Sequence, residues 1–77
     1  MTIRNRLRIY IEGTTIRLEY RRITFMEDGS GYVNELSPGS TPGIIELDSK
    51  AEAAEWAKCL IDSVASIGRD YEVLYKS

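Results

Sequence analysis

Residues 44–68 read IIELDSKAEAAEWAKCLIDSVASIG, a run that holds a short strand, a helix cap, a helix and a stop in that order. Ser49-Lys50-Ala51-Glu52 has the form of a capping box, in which the Ser49 hydroxyl accepts from the Glu52 amide and the Glu52 carboxylate reaches back. Ala53, Ala57, Leu60, Val64 and Ile67 follow at spacings of four, three, four and three, which sets all of them on one helical stripe. Trp56 and Ile61 fall at the edges of that stripe; Glu52, Glu55, Lys58, Asp62 and Ser66 fall on the other side. Gly68 supplies the left-handed residue that commonly ends a helix. The pattern predicts a helix over Lys50–Ile67, about 27 Å long, with a short strand before it at Ile44–Leu47.

Upstream of this run the periodicity changes to two. Leu7, Ile9 and Ile11 alternate with Arg6, Arg8, Tyr10 and Glu12, a half-buried strand over Ile3–Glu12. Gly13-Thr14 is a turn, and a second strand runs over Thr15–Met26. Ile16, Leu18 and Tyr20 point one way in it. The apolar parity then flips to Ile23 and Phe25, and a β-bulge or bend at Arg21-Arg22 is the simplest device for restoring the phase. Glu27–Gly31 reads as a hairpin loop around Asp28-Gly29. Tyr32–Leu36 is a third strand, and residues 37–43, punctuated twice by Pro-Gly pairs, form a loop. Downstream of the helix, Tyr71, Val73 and Tyr75 alternate with Glu72, Leu74 and Lys76 in a last strand.

The expected fold class is therefore α+β: a mostly antiparallel four- to five-stranded sheet with one amphipathic helix on one face, ordered ββββαβ, in a single domain spanning 1–77. A meander of four strands followed by the helix brings the last strand antiparallel beside the first, for a spatial order 5-1-2-3-4.

Composition sets further bounds. Seventy-seven residues make one domain with a thin core. An apolar fraction of 43% is that of a globular chain. No apolar run approaches the roughly 18 residues that span a bilayer. The arginines of residues 1–8 are followed by no apolar h-region, so neither a signal peptide nor a membrane partner is expected, and the expected location is the cytoplasm. Cys59 is the only cysteine, which rules out an intrachain disulfide. A small domain held by packing alone gains core by oligomerising, so a homodimer is a possible state. Residues 1–25 carry a net charge of +4 and residues 26–77 carry −6, which implies one basic and one acidic surface.

The chemistry on offer is that of binding. With no histidine and one cysteine, the usual general base, the Cys–His pair and a zinc site are all missing. No catalytic residue, cofactor or metal is expected, and the chain is read as no enzyme. Residues 28–31 lack the following helix that a phosphate loop requires. The loop at 37–43 offers Ser37, Ser40 and Thr41 as contacts to a partner or small ligand, beside the plainer reading of a connector. Most suggestive is the outer side of the first two strands. Arg4, Arg6, Arg8 and Tyr10 share it on one strand, Arg17 and Arg21 on the next, with cross-strand neighbours about 5 Å apart. This face has three readings: a solvated surface with Arg–Glu pairs, a protein-binding face with arginine hot spots, or a phosphate-contacting nucleic-acid face.

The run Ile44–Ala57 resembles the strand-to-helix junction of small phage-encoded anti-CRISPR and other anti-defence proteins built as a four-stranded sheet plus helix. That resemblance implies a host protein partner, here a bacterial immune effector whose access to DNA is blocked. The same run is similar to the end of the arm-site DNA-binding domain of phage integrases, a three-stranded sheet with a trailing helix whose sheet face enters the major groove. The leading expectation is a non-enzymatic inhibitor of a host defence protein acting by surface occlusion. The alternatives are a nucleic-acid-binding module using the arginine face, and a small-ligand (nucleotide) sponge using the two glycine-containing loops.

Overall fold

The structure, a computed structural model, describes residues 2–76. The described chain forms one five-stranded mixed sheet with one helix, in the order β1 (Thr2–Glu12), β2 (Thr15–Phe25), β3 (Tyr32–Leu36), β4 (Gly43–Glu46), α1 (Lys50–Ser66) and β5 (Tyr71–Lys76). The expected fold class is the observed one.

β1 and β2 make a long antiparallel hairpin with one unbroken register from Thr2 opposite Phe25 to Glu12 opposite Thr15. Its two-residue turn places Gly13 at φ 59°, and among the described residues no non-glycine residue has positive φ. This is the pattern of a type II′ turn, which matches the twist of the flanking strands. Constant register leaves no bulge at Arg21-Arg22. The parity flip has another cause: Ile16 and Leu18 face the helix, whereas Ile23 and Phe25 lie on the opposite face of the same regular strand.

The expected neighbours 5-1-2-3 are observed, but the place of β4 and the direction of β5 differ from the expectation. β3 pairs antiparallel with the far part of β2, Arg21–Phe25, and β4 pairs antiparallel with its near part, Thr15–Leu18. Residues 37–42 thus carry the chain along one edge of β2 without reversing it. β3 and β4 run in the same direction, α1 returns, and β5 emerges parallel to β1, pairing Leu7–Glu12 with Tyr71–Lys76. One reversal fewer than a meander converts the last strand from antiparallel to parallel.

The helix caps as its sequence requires, with one change of partner. Ser49 Oγ accepts from the Glu52 amide at 3.1 Å, but the Glu52 carboxylate accepts from the Asp48 amide at 3.2 Å instead of from the cap residue. At the other end Gly68 (φ 71°) donates to Ala65 O and Arg69 donates to Val64 O, the paired bonds of a Schellman motif. Ile67 becomes the C-cap and is 72% exposed, so the stripe ends at Val64. Replacing Ser49 with Ala is expected to cost about 1 kcal/mol and lower Tm by about 5 °C in a thermal melt.

The core lies between α1 and one half of the sheet. Leu7, Ile9, Ile11 and Ile16 are buried against Ala57 and Val64, with Leu18, Ile45, Leu47, Leu60, Ile61 and Val73 around them. A 17-residue helix reaches about 25 Å, whereas an 11-residue strand reaches about 36 Å. The helix therefore ends near the level of Leu7, where β5 begins. Beyond it the far halves of β1 and β2, together with β3, project as a three-stranded wing with no second layer among the described residues. The described chain measures 47 × 23 × 23 Å and has a radius of gyration of 14.2 Å; a compact domain of this length has about 11.5 Å.

Candidate functional site: the arginine face

Even-numbered residues of β1 and odd-numbered residues of β2 form the face opposite α1. All six residues expected there are there: Arg4, Arg6, Arg8 and Tyr10 from β1, Arg17 and Arg21 from β2. The register sets Arg6 directly opposite Arg21 and Tyr10 opposite Arg17. Two like charges in facing positions repel, and here each is drawn aside by its own acid.

The acids come from three strands and from the turn before β5. Glu72 of β5 lies 3.6 Å from both Arg6 and Arg8, and Asp70 accepts from Arg6 Nε at 3.3 Å. Glu19 of β2 sits between Arg21 at 3.5 Å and Arg17 at 3.9 Å. Glu12 of β1 holds Arg17 at 3.6 Å and Lys76 at 3.9 Å. Tyr10 is the hub of the near half: Arg8 donates to its hydroxyl at 3.2 Å, and the Arg17 guanidinium covers its ring at 4.2 Å. The hydrogen bond to Tyr10 holds the Arg8 pKa above its ordinary value, against the opposing effect of burial. Arg21 Nε donates to Asn34 Oδ1 at 3.0 Å. Most of these ion pairs exceed hydrogen-bond length and are partly exposed, so each contributes at most about 1 kcal/mol. Together they make the near half of the face an internally neutralised lattice.

The far half differs. Arg4 is exposed and forms no ion pair among the described residues. Beside it Ile23, 4% exposed, floors a depression of about 330 Å³ lined by Arg6, Arg8, Phe25, Tyr32, Asn34 and Glu72. The Phe25 and Tyr32 rings meet at 5.9 Å, tilted by 49°. Phe25, Tyr32 and Asn34 were not among the expected contacts. Their signal was the parity flip at Ile23, which marks where apolar side chains leave the helix-covered face. The wing's other face carries the exposed Ile3 and Val33 with an Arg22–Glu35 ion pair.

The expected loop contacts lie apart from this half. Ser37 donates its amide to Tyr20 O at 2.7 Å, and both the amide and the hydroxyl of Ser40 donate to Ser37 O. The loop is thus folded on itself along the outer edge of β2, with Thr41 exposed, while Arg4 and Arg6 belong to β1. The other glycine loop, at the tip of the wing, is closed by Asp28 Oδ1 accepting from the Ser30 amide at 2.9 Å, and the bonds from Ser30 hold the Asp28 carboxyl below its ordinary pKa. Among the described residues, no helix is long and apolar enough to cross a membrane. A scan against protein-family models, a search of curated proteins and a search of solved structures each returned no match for this chain.

Proposed function

We propose that this chain is a non-enzymatic binding protein that covers a surface of a partner protein with its wing. The observation that carries the reading is the wing itself. Its strands stand clear of the helix, yet they bear Phe25 and Tyr32 exposed on the face of Arg4, which has no ion pair among the described residues, and Ile3 and Val33 exposed on the other face. Apolar and aromatic side chains on an uncovered sheet are a contact surface in search of a second layer. Arginine and tyrosine are the residue types that anchor such contacts, and the depression over Ile23 offers a seat for one partner side chain. The mode of action is occlusion, and the proposed role is inhibition of a host defence protein.

A nucleic-acid reading draws on one observation, the Phe25–Tyr32 ring pair next to arginine, which has the form of a stacking platform for single strands. The neutralised near half speaks for protein instead, since it leaves few free cations to meet successive phosphates.

The test is capture by the immobilised chain from a lysate of the cells in which it is naturally made. One stoichiometric protein is expected, retained at moderate salt, lost when Phe25 and Tyr32 are both changed to Ala, and kept when Thr41 is changed to Ala. Binding of oligonucleotides that falls steeply with salt, with no protein captured, refutes the reading; so does capture indifferent to Phe25 and Tyr32.

A further inference from the structure

β1 changes status along its length. From Leu7 to Glu12 it is an interior strand between β2 and β5; from Thr2 to Arg6 it pairs with β2 alone among the described residues. The Leu7 amide donates to Asp70 O at 3.1 Å, on the β5 side. Backbone groups alternate sides along a strand. The N–H and C=O groups of Ile3 and Asn5 therefore point to that same side, past the point where β5 begins, and form an open edge.

β5 shows what chemistry this edge accepts. On the arginine face it places Glu72 opposite Arg8 and within 3.6 Å of Arg6 and Arg8; on the other face it places Tyr71 and Val73 beside Leu7 and Ile9. Over Asp70–Val73, at the start of β5, acidic and apolar residues alternate, matching the basic and apolar alternation of Arg6–Ile9 in β1. The open half carries Arg4, which lacks an acid among the described residues, on one face, and Ile3, 52% exposed, with the polar Asn5 on the other. β1 continues past the start of β5 with its basic face unmatched there.

We propose that the Thr2–Arg6 edge accepts an extended segment of a partner protein in which acidic and apolar residues alternate, added to the sheet in line with β5. A carboxylate of that segment sits against Arg4, its apolar neighbour lies beside Ile3, and its backbone bonds to Ile3 and Asn5. Main-chain bonds supply affinity in such strand addition, and the alternating side chains supply specificity. A second copy of the same edge fits less well, because the self-pairing centred on Arg4 sets Arg4 against Arg4. Arginines on an open edge also discourage indiscriminate strand pairing, which selects for an acidic partner. The inference rests on the protein-binding reading above and names the kind of segment the partner brings.

The experiment uses the full ¹⁵N-labelled chain and a capped peptide of alternating Glu and Val, with an alternating Lys and Val peptide as control. The acidic peptide is expected to shift the Ile3 and Asn5 amide signals and slow their exchange about tenfold or more; the basic peptide is expected to do neither. Asn5→Pro removes an amide that bonds to neither β2 nor β5, so the variant is expected to keep a dispersed spectrum and lose the peptide. Should that variant unfold, Arg4→Glu carries the test, with preference reversed toward the basic peptide. The proposal is overturned by an absence of perturbation at millimolar peptide, by perturbation confined to the outer edges of β3 or β4, or by a folded Asn5→Pro that binds as tightly. Concentration-dependent protection of Ile3 and Asn5 without peptide overturns it in favour of a homodimer. Partner capture that still depends on Phe25 and Tyr32 but survives in folded Asn5→Pro removes the edge and leaves the wing reading standing.

Discussion

Ile9→Ala is expected to lose about 2–5 kcal/mol of stability, enough to unfold much of the population at physiological temperature. Ile9 is wholly buried, pairs across the sheet with Leu18 on one side and Val73 on the other, and lies beneath α1. Truncating it loses the transfer energy of three carbons and opens a cavity that two regular ladders cannot collapse to fill. A single core of this size supplies only about 3–5 kcal/mol in total, so the loss approaches the whole. Urea denaturation reads the effect, with the midpoint falling and the slope unchanged if the folded state survives. Ile44→Ala is the control. Ile44 lies on the arginine face of β4 and is 63% exposed, so its change is expected to stay within about 0.5 kcal/mol. Equal losses from Ile9 and Ile44 would contradict the placement of the core.

The second large effect is expected at Glu19. Its side chain is 12% exposed, and its single carboxylate lies between Arg17 and Arg21. Glu19→Gln keeps the shape and removes the charge, so that two guanidinium groups on a half-buried face lose a shared counter-ion. The expected cost is about 1–2 kcal/mol, less than for a fully buried pair because water reaches both arginines. The remaining repulsion is between partly exposed charges, so the deficit is expected to shrink in 0.5 M salt, where the Debye length falls to about 4 Å. Glu12→Gln is expected to cost less than about 0.5 kcal/mol, because Glu12 is about three times as exposed as Glu19. A Glu19→Gln deficit that grows with salt would mean that the arginines are not held apart by that carboxylate.

Both predictions concern the half of the molecule that the sequence describes well. The Ser49 cap, the Ala53–Ala57–Leu60–Val64 stripe and the Gly68 stop are local signals, and the helix follows them to within a residue. Strand existence was equally legible from period two. So was the arginine face, since parity alone sets Arg4, Arg6, Arg8 and Tyr10 on the side opposite Leu7, Ile9 and Ile11. Which acids those arginines would meet was not legible. Asp70 and Glu72 lie more than sixty residues from Arg6 in the chain, and they reach it only because β5 is parallel to β1 in one particular register.

The amino-acid sequence by itself determined the elements, their amphipathic faces and the side on which the guanidinium groups emerge, because each of these follows from spacings of two to four residues. Tertiary structure alone decided that β3 and β4 share one edge of β2, that β5 joins β1 in parallel, and that the wing stands uncovered. Those outcomes depend on how far a helix of about 25 Å can cover strands of about 36 Å, and on how many times a loop reverses the chain. Neither quantity is written in any local pattern of side chains.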